Sequence, residues 1–148
     1  MTTLSAGGHS GSMHGRPFEG TVQVIGLYDG NFREDAPRHG GYSTFDQGPS
    51  AVVRTQTNVT ILLTSRRMAP FSLVQLTSCG VDPPSFDILV AKGVIAPMAA
   101  YNSVCRHFIR VNTMGVTTAD IGQLPFEHRR RPLYPWETDF DWKTSSGE

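Results

Sequence analysis

Five histidines, His9, His14, His39, His107 and His128, are the side chains best suited to hold a catalytic metal. A zinc site takes three or four ligands, presented at short paired spacings or from one rigid helix face. His9 and His14 are instead separated by small, flexible residues with no acidic partner, and the other three are scattered. They read as surface or packing histidines, and their spacing predicts no metal site. "GHSGS" echoes the nucleophile pattern G-x-S-x-G through Gly8, Ser10 and Ser12, but without the strand–turn–helix setting such a serine needs. The same glycine-rich run lacks the Gly-Lys-Ser/Thr that closes a phosphate loop. Cys79 and Cys105 are too far apart for a CxxC pair and stand beside apolar neighbours, as buried thiols in a reducing compartment do.

The cationic residues offer more. In "ILVAKGVIAPMAAYNSV", Lys92 and Gly93 follow a short apolar run and precede a helical pattern. Ligands of α/β proteins gather where strands end and helices begin, because free amides there favour an anion. Lys92 would add a point charge, and Gly93 would let the backbone come close. The plainer reading is a lysine snorkelling at a sheet edge beside a turn glycine. Arg66 and Arg67 leave another strand end in "LTSRRMAPF" and either share that rim or are solvated and paired with carboxylates. "HRRRP" at 128–132 is too short a basic run for a nucleic-acid patch and reads as a docking or solvated tail.

The elements that must position these residues follow from periodicity. "TTL" at the start resembles the tail of a strand, and glycine-rich loop follows. "FEGTVQVIGLYDGNF" predicts a strand that turns at Asp29-Gly30. Residues 33–48 carry no periodicity and predict a long structureless loop. "SAVVRTQTNVTILLTSR" predicts a hairpin of 51–56 with 59–64 around Thr57-Asn58. Ser72 caps a short helix that Gly80 stops. A buried strand at 87–92, a helix at 97–106 and a strand at 108–112 make a strand–helix–strand unit. Thr117 or Thr118 caps a further short helix, and a proline-pinned tail follows. The expected fold class is α/β, a mixed sheet with short helices against it and long glycine- and proline-rich loops. The segments divide as a glycine-rich start at 1–17, a domain at 18–137 and a tail at 138–148.

Composition narrows the function. Thirteen basic and thirteen acidic residues balance, which argues against coating nucleic acid or an anionic membrane. At 148 residues the chain has the length of one domain, and 39% hydrophobic content supports a packed core. No apolar run approaches the ~20 residues that span a bilayer, and no secretory core follows Met1, so a cytoplasmic location is expected.

"GPSAVVR", "ILLTSRRMAPF", "CGVDPPSFDILVAKGVIAPMAAY", "IRVNTMGVTTAD" and "RRRPLYPWE" occur in an order and spacing that resemble the C-terminal domain of the MlrC (microcystin-degradation protein) family of zinc metallopeptidases. The resemblance runs from about Gly7 to Glu137. It implies that the zinc ligands, Asp and His side chains, belong to a larger N-terminal domain and map onto none of these residues. Zinc is accordingly expected there, and no cofactor in this chain. Relatives often read "KSxxHFRAxF" where this sequence reads "KGVIAPMAAY". Lys92 is kept, while Gly93, Ala96 and Met98 stand for the serine, histidine and arginine. The expected function is an accessory domain that shapes a substrate cleft, with no catalytic residue of its own and Lys92, Gly93, Arg66 and Arg67 as anion-binding candidates. The expected partner is the N-terminal metal-binding domain, another chain, or a second copy through an N-terminal sheet edge. The alternative is a non-catalytic interaction module, or a truncated fragment, that binds a protein partner.

Overall fold

A computed structural model describes residues 1–8, 15–36, 41–93, 95–113, 118, 120–124, 126–139 and 141. Six strands and two short helices carry the fold: β1 (Thr2–Ala6), β2 (Phe18–Tyr28), β3 (Asn31–Arg33), β4 (Thr44–Asp46), β5 (Ser50–Thr55), β6 (Thr60–Thr64), α1 (Val74–Thr77) and α2 (Ala96–Tyr101). The class is α/β, with strands supplying most of the regular structure. Four strands form one sheet in the order β1-β2-β5-β6, and β3 pairs with β4 in a second. Every pairing among the described residues is antiparallel.

The β-branched runs of β5 and β6 form the expected hairpin, with Val52 opposite Leu62 and Val53 opposite Ile61. Asn58 takes the left-handed conformation in its turn, φ 64°, a geometry asparagine tolerates better than most residues. Val52 and Val53 are adjacent and both buried, so both faces of this central strand are covered. β2 ends where expected. The Asn31 amide donates to Asp29 Oδ1 at 2.9 Å, which also holds that carboxyl below its usual range. Gly30 sits at φ 80°, and an added Cβ would collide with the Gly48 carbonyl.

α1 begins one residue later than expected: its N-cap is Leu73 and has no side-chain cap bond, while Ser72 just outside it accepts from the Val74 amide through Oγ at 3.0 Å and Gly80 follows the helix at φ 67°. Beneath it lies a mixed core. Phe32, Phe45 and Phe71 cluster with centroid separations of 5.3, 6.5 and 4.7 Å. Beside them is a polar set. The Ser72 hydroxyl donates to Glu34, and Gln75 Oε1 accepts from the amides of Phe71 and Ser72. Gln47, fully buried, donates through Nε2 to the Gln75 carbonyl at 3.3 Å.

Two expectations are corrected. Residues 33–48 are not structureless at their ends: β3 and β4 pair, the Glu34 amide donates to the Ser43 carbonyl, and Glu34 and Gln47 are buried. Alternation was invisible there because the strands are three residues long and their anchors are polar. Residues 37–40 of that segment lie outside the described residues. The second correction concerns 87–92 and 108–112, which form no strand. Their backbone pairs with no described strand, and Ile88, Val90, Ile109 and Val111 are 79, 94, 89 and 75% exposed. Strand propensity there has no pairing row to act on. Only the helix of the expected strand–helix–strand unit forms, shortened to α2.

Candidate functional site

Lys92 therefore does not cap a buried strand. It is an exposed residue in the extended segment leading to α2. Gly93 explains itself by contact: a Cβ there would lie 3.0 Å from Pro97 Cδ and 3.3 Å from Pro70 Cγ. Its role is to let two prolines close on the backbone, and that contact brings the Lys92 segment beside the stretch following Arg66 and Arg67. The start of α2 offers little to an anion. The helix has six residues, no side-chain cap, and a proline in its first turn that lacks an N–H.

Arg66 is committed to the fold. Its guanidinium pairs with Asp46, its amide donates to the Gln47 carbonyl at 3.0 Å, and the other Asp46 oxygen accepts from the Gly48 amide at 2.7 Å. It locks the end of β6 onto the turn between β4 and β5. Arg67 is exposed, and among the described residues it enters no ion pair. Of the three candidate cations, Lys92 and Arg67 are exposed and Arg66 is neutralised by Asp46.

The tail holds a second cluster that the sequence pattern did not reveal. Arg129 donates both terminal nitrogens to the two carboxylate oxygens of Glu137, and the Leu133 amide adds a bond to Glu137 Oε2 at 2.9 Å. The Arg129 guanidinium lies 5.2 Å from the Trp136 ring centre, and Phe126 meets Trp136 edge-on at 5.0 Å. The arginine fork, with help from the Leu133 amide, holds the Glu137 carboxyl down at about 2. All partners are internal, so this clasp folds the tail and leaves no charge over for a ligand. The signal was an arginine and a glutamate on either side of "RRPLYPW", eight residues apart, a spacing no local motif covers.

Among the described residues no three His, Cys, Asp or Glu side chains converge, so no set there fits a zinc ion. His107 and His128 are exposed and apart, while His9, His14 and His39 lie outside the described residues, as do Ser10 and Ser12. Among the described residues no helix is long and apolar enough to cross a membrane.

An α/β domain with antiparallel sheets, two short helices and two exposed apolar segments is the class of protein these features define. A family model described as MlrC C-terminus matches residues 1–128. The chain belongs to that family. No curated protein and no solved structure matches it.

Proposed function

We propose that this chain is the accessory C-terminal domain of an MlrC-like zinc metallohydrolase, which docks on a separate metal-bearing domain and helps to shape its substrate cleft. The observation that carries this reading is the pair of apolar segments, 86–91 and 108–111, flanking α2. Four large aliphatic side chains there are more than 70% exposed, apolar surface that a docked domain would cover. Lys92 and Gly93 continue directly from the first segment, and Arg67 stands three residues before Pro70, which a Cβ on Gly93 would meet at 3.3 Å. Docking through 86–111 brings this rim to the edge of the joint. Lys92 and Arg67 then attract and orient carboxylate groups of a substrate, while Arg66 keeps the turn rigid. Zinc in such enzymes polarises an amide carbonyl and acidifies a bound water, and that chemistry belongs to the other domain.

The test is to mix the 148-residue chain with a separately produced N-terminal domain of an MlrC-family protein. Binding is followed by calorimetry and hydrogen exchange, and amide hydrolysis is assayed in parallel. Expected are protection of 86–91 and 108–111 and hydrolysis only in the mixture, with Lys92→Ala lowering kcat/KM for anionic substrates by about ten-fold, the worth of one charge-assisted contact. Absence of binding, or zinc-dependent hydrolysis by the chain alone, would overturn the reading.

A further inference from the structure

β6 closes the four-stranded sheet at the end opposite β1, with β5 on one side and, among the described residues, no strand on the other. Its ladder to β5 decides which backbone groups are left over. The Thr55 amide donates to the Val59 carbonyl at 2.9 Å and the Ser65 amide to the Pro49 carbonyl at 3.1 Å. Between these bonds the pairing runs without a break from Arg54 opposite Thr60 to Ser50 opposite Thr64. Bonded and non-bonded pairs alternate along an antiparallel ladder. Ile61 and Leu63 therefore direct their amides and carbonyls to β5, while Thr60, Leu62 and Thr64 turn theirs outward. Among the described residues no backbone group meets that outward row. Natural edges are normally blunted by lysine, proline, a bulge or inward charge, and Thr60–Thr64, "TILLT", has none of these.

We propose that β6 pairs antiparallel with β6 of a second copy across a twofold axis at Leu62, joining two four-stranded sheets into one. The strand matches itself in two respects. Its chemistry reads alike in both directions, with a threonine at each end and three aliphatic residues between. Rotation about Leu62 sets Leu62 against Leu62, Thr60 against Thr64 and Ile61 against Leu63. The backbone matches under the same rotation. Residues 60, 62 and 64, whose groups point outward, meet residues 64, 62 and 60, so each of these opposed pairs exchanges two hydrogen bonds. A slip of one residue would set outward groups against inward ones. An unrelated strand has no reason to satisfy both conditions, and a second copy satisfies them by symmetry.

The faces agree as well. Ile61 lies opposite Val53 and Leu63 opposite Ala51, the residues that Val24 and Leu27 oppose from β2. All six stand on one face of the sheet. In the seam Ile61 of one copy meets Leu63 of the other as a non-hydrogen-bonded pair, the kind whose side chains come closer. The apolar face thereby continues from one sheet into the next. A seam of one short strand is small against the ~1,200 Å² at the low end of standard interfaces, so the association is weak, with a Kd in the micromolar range or above. It uses a surface separate from 86–111 and stands or falls independently of the docking reading.

Sedimentation velocity on the 148-residue chain, from micromolar to submillimolar concentration, tests the proposal. A concentration-dependent dimer is expected. Thr64→Pro, at an exposed position, removes an amide that points away from β5 and should weaken the dimer about ten-fold or more. Thr64→Ala keeps that amide and should leave the dimer nearly unchanged. Leu62→Lys and Leu62→Glu each bring like charges face to face at the axis and should each weaken it about ten-fold or more. Mixing those two variants should restore association, because residue 62 of one copy opposes residue 62 of the other. Ile88→Lys with Ile109→Lys should leave the dimer intact while removing any docking on the metal-bearing domain. A monomer at every concentration, a dimer indifferent to Thr64→Pro, or a mixture that fails to recover would each sink the proposal. So would a β6 edge that pairs only with a strand of an added metal-bearing domain.

Discussion

The guanidinium of Arg129 and the carboxylate of Glu137 meet as two planar forks, and that geometry holds the acid at about 2 against an ordinary value of 4.5. A carboxyl whose folded pKa is depressed stabilises the structure above its unfolded pKa and loses that contribution as pH falls toward the folded one. The tail clasp is therefore fully formed above pH 4.5 and opens as the pH approaches 2. Fluorescence of Trp136 reports this once Trp142→Phe removes the second indole. Emission should hold steady down to about pH 4.5 and then change, and Glu137→Gln should abolish the step. A transition that survives the glutamine substitution would show that another carboxylate controls the tail. Pairing decides the rim as well. Arg66 and Arg67 are neighbours in sequence, yet Asp46 neutralises only the first.

Short elements in this molecule are held by what lies beneath them. α1 has four residues and the β3–β4 pair three on each strand, too little for either to persist alone. The aromatic trio ties them together, with Phe71 buried against both Phe32 and Phe45. Phe71→Ala should cost about 3 kcal/mol, lowering Tm by roughly 6–12 °C in a scanning calorimeter. A loss below about 1 kcal/mol would mean that the cluster refills the space and the polar set around Gln47 carries the junction. The segments 86–91 and 108–111 predict the opposite behaviour. Ile88→Lys and Ile109→Lys should each change the stability of the isolated chain by less than about 0.5 kcal/mol, as exposed positions do. A large drop in either would place that segment in the core, where its sequence alone would put it.

At the scale of the molecule, the proposed docking uses the exposed apolar segments 86–91 and 108–111, which would offer side chains to a domain interface, with the exposed cations Lys92 and Arg67 left outside it. Thirteen basic and thirteen acidic residues balance over the chain, so any attraction for anions rests on local groups and not on net charge.

Local chemistry was legible in the sequence wherever it depended on neighbours. The β5–β6 hairpin follows from two β-branched runs around Thr57-Asn58, the end of β2 from Asp29-Gly30, and α1 from Ser72 and Gly80. The family was legible too, because several motifs stand in fixed order. What lay beyond reach were contacts between residues far apart in the chain. Glu34 meets Ser72 across 38 residues and Arg66 meets Asp46 across 20, and nothing local marks either as a partner. The run "DILVA" reads as a buried strand from its own residues, yet burial needs a covering surface and a strand needs a hydrogen-bonding neighbour. Torsional preference and capping are properties of adjacent residues, so the sequence determined the hairpin, the turns and the cap. Pairing and burial are properties of surfaces assembled from the whole chain, so only the tertiary structure decided that Lys92 leaves an exposed segment, that Gln47 is core, and that Asp46 pairs with Arg66 and not with Arg67.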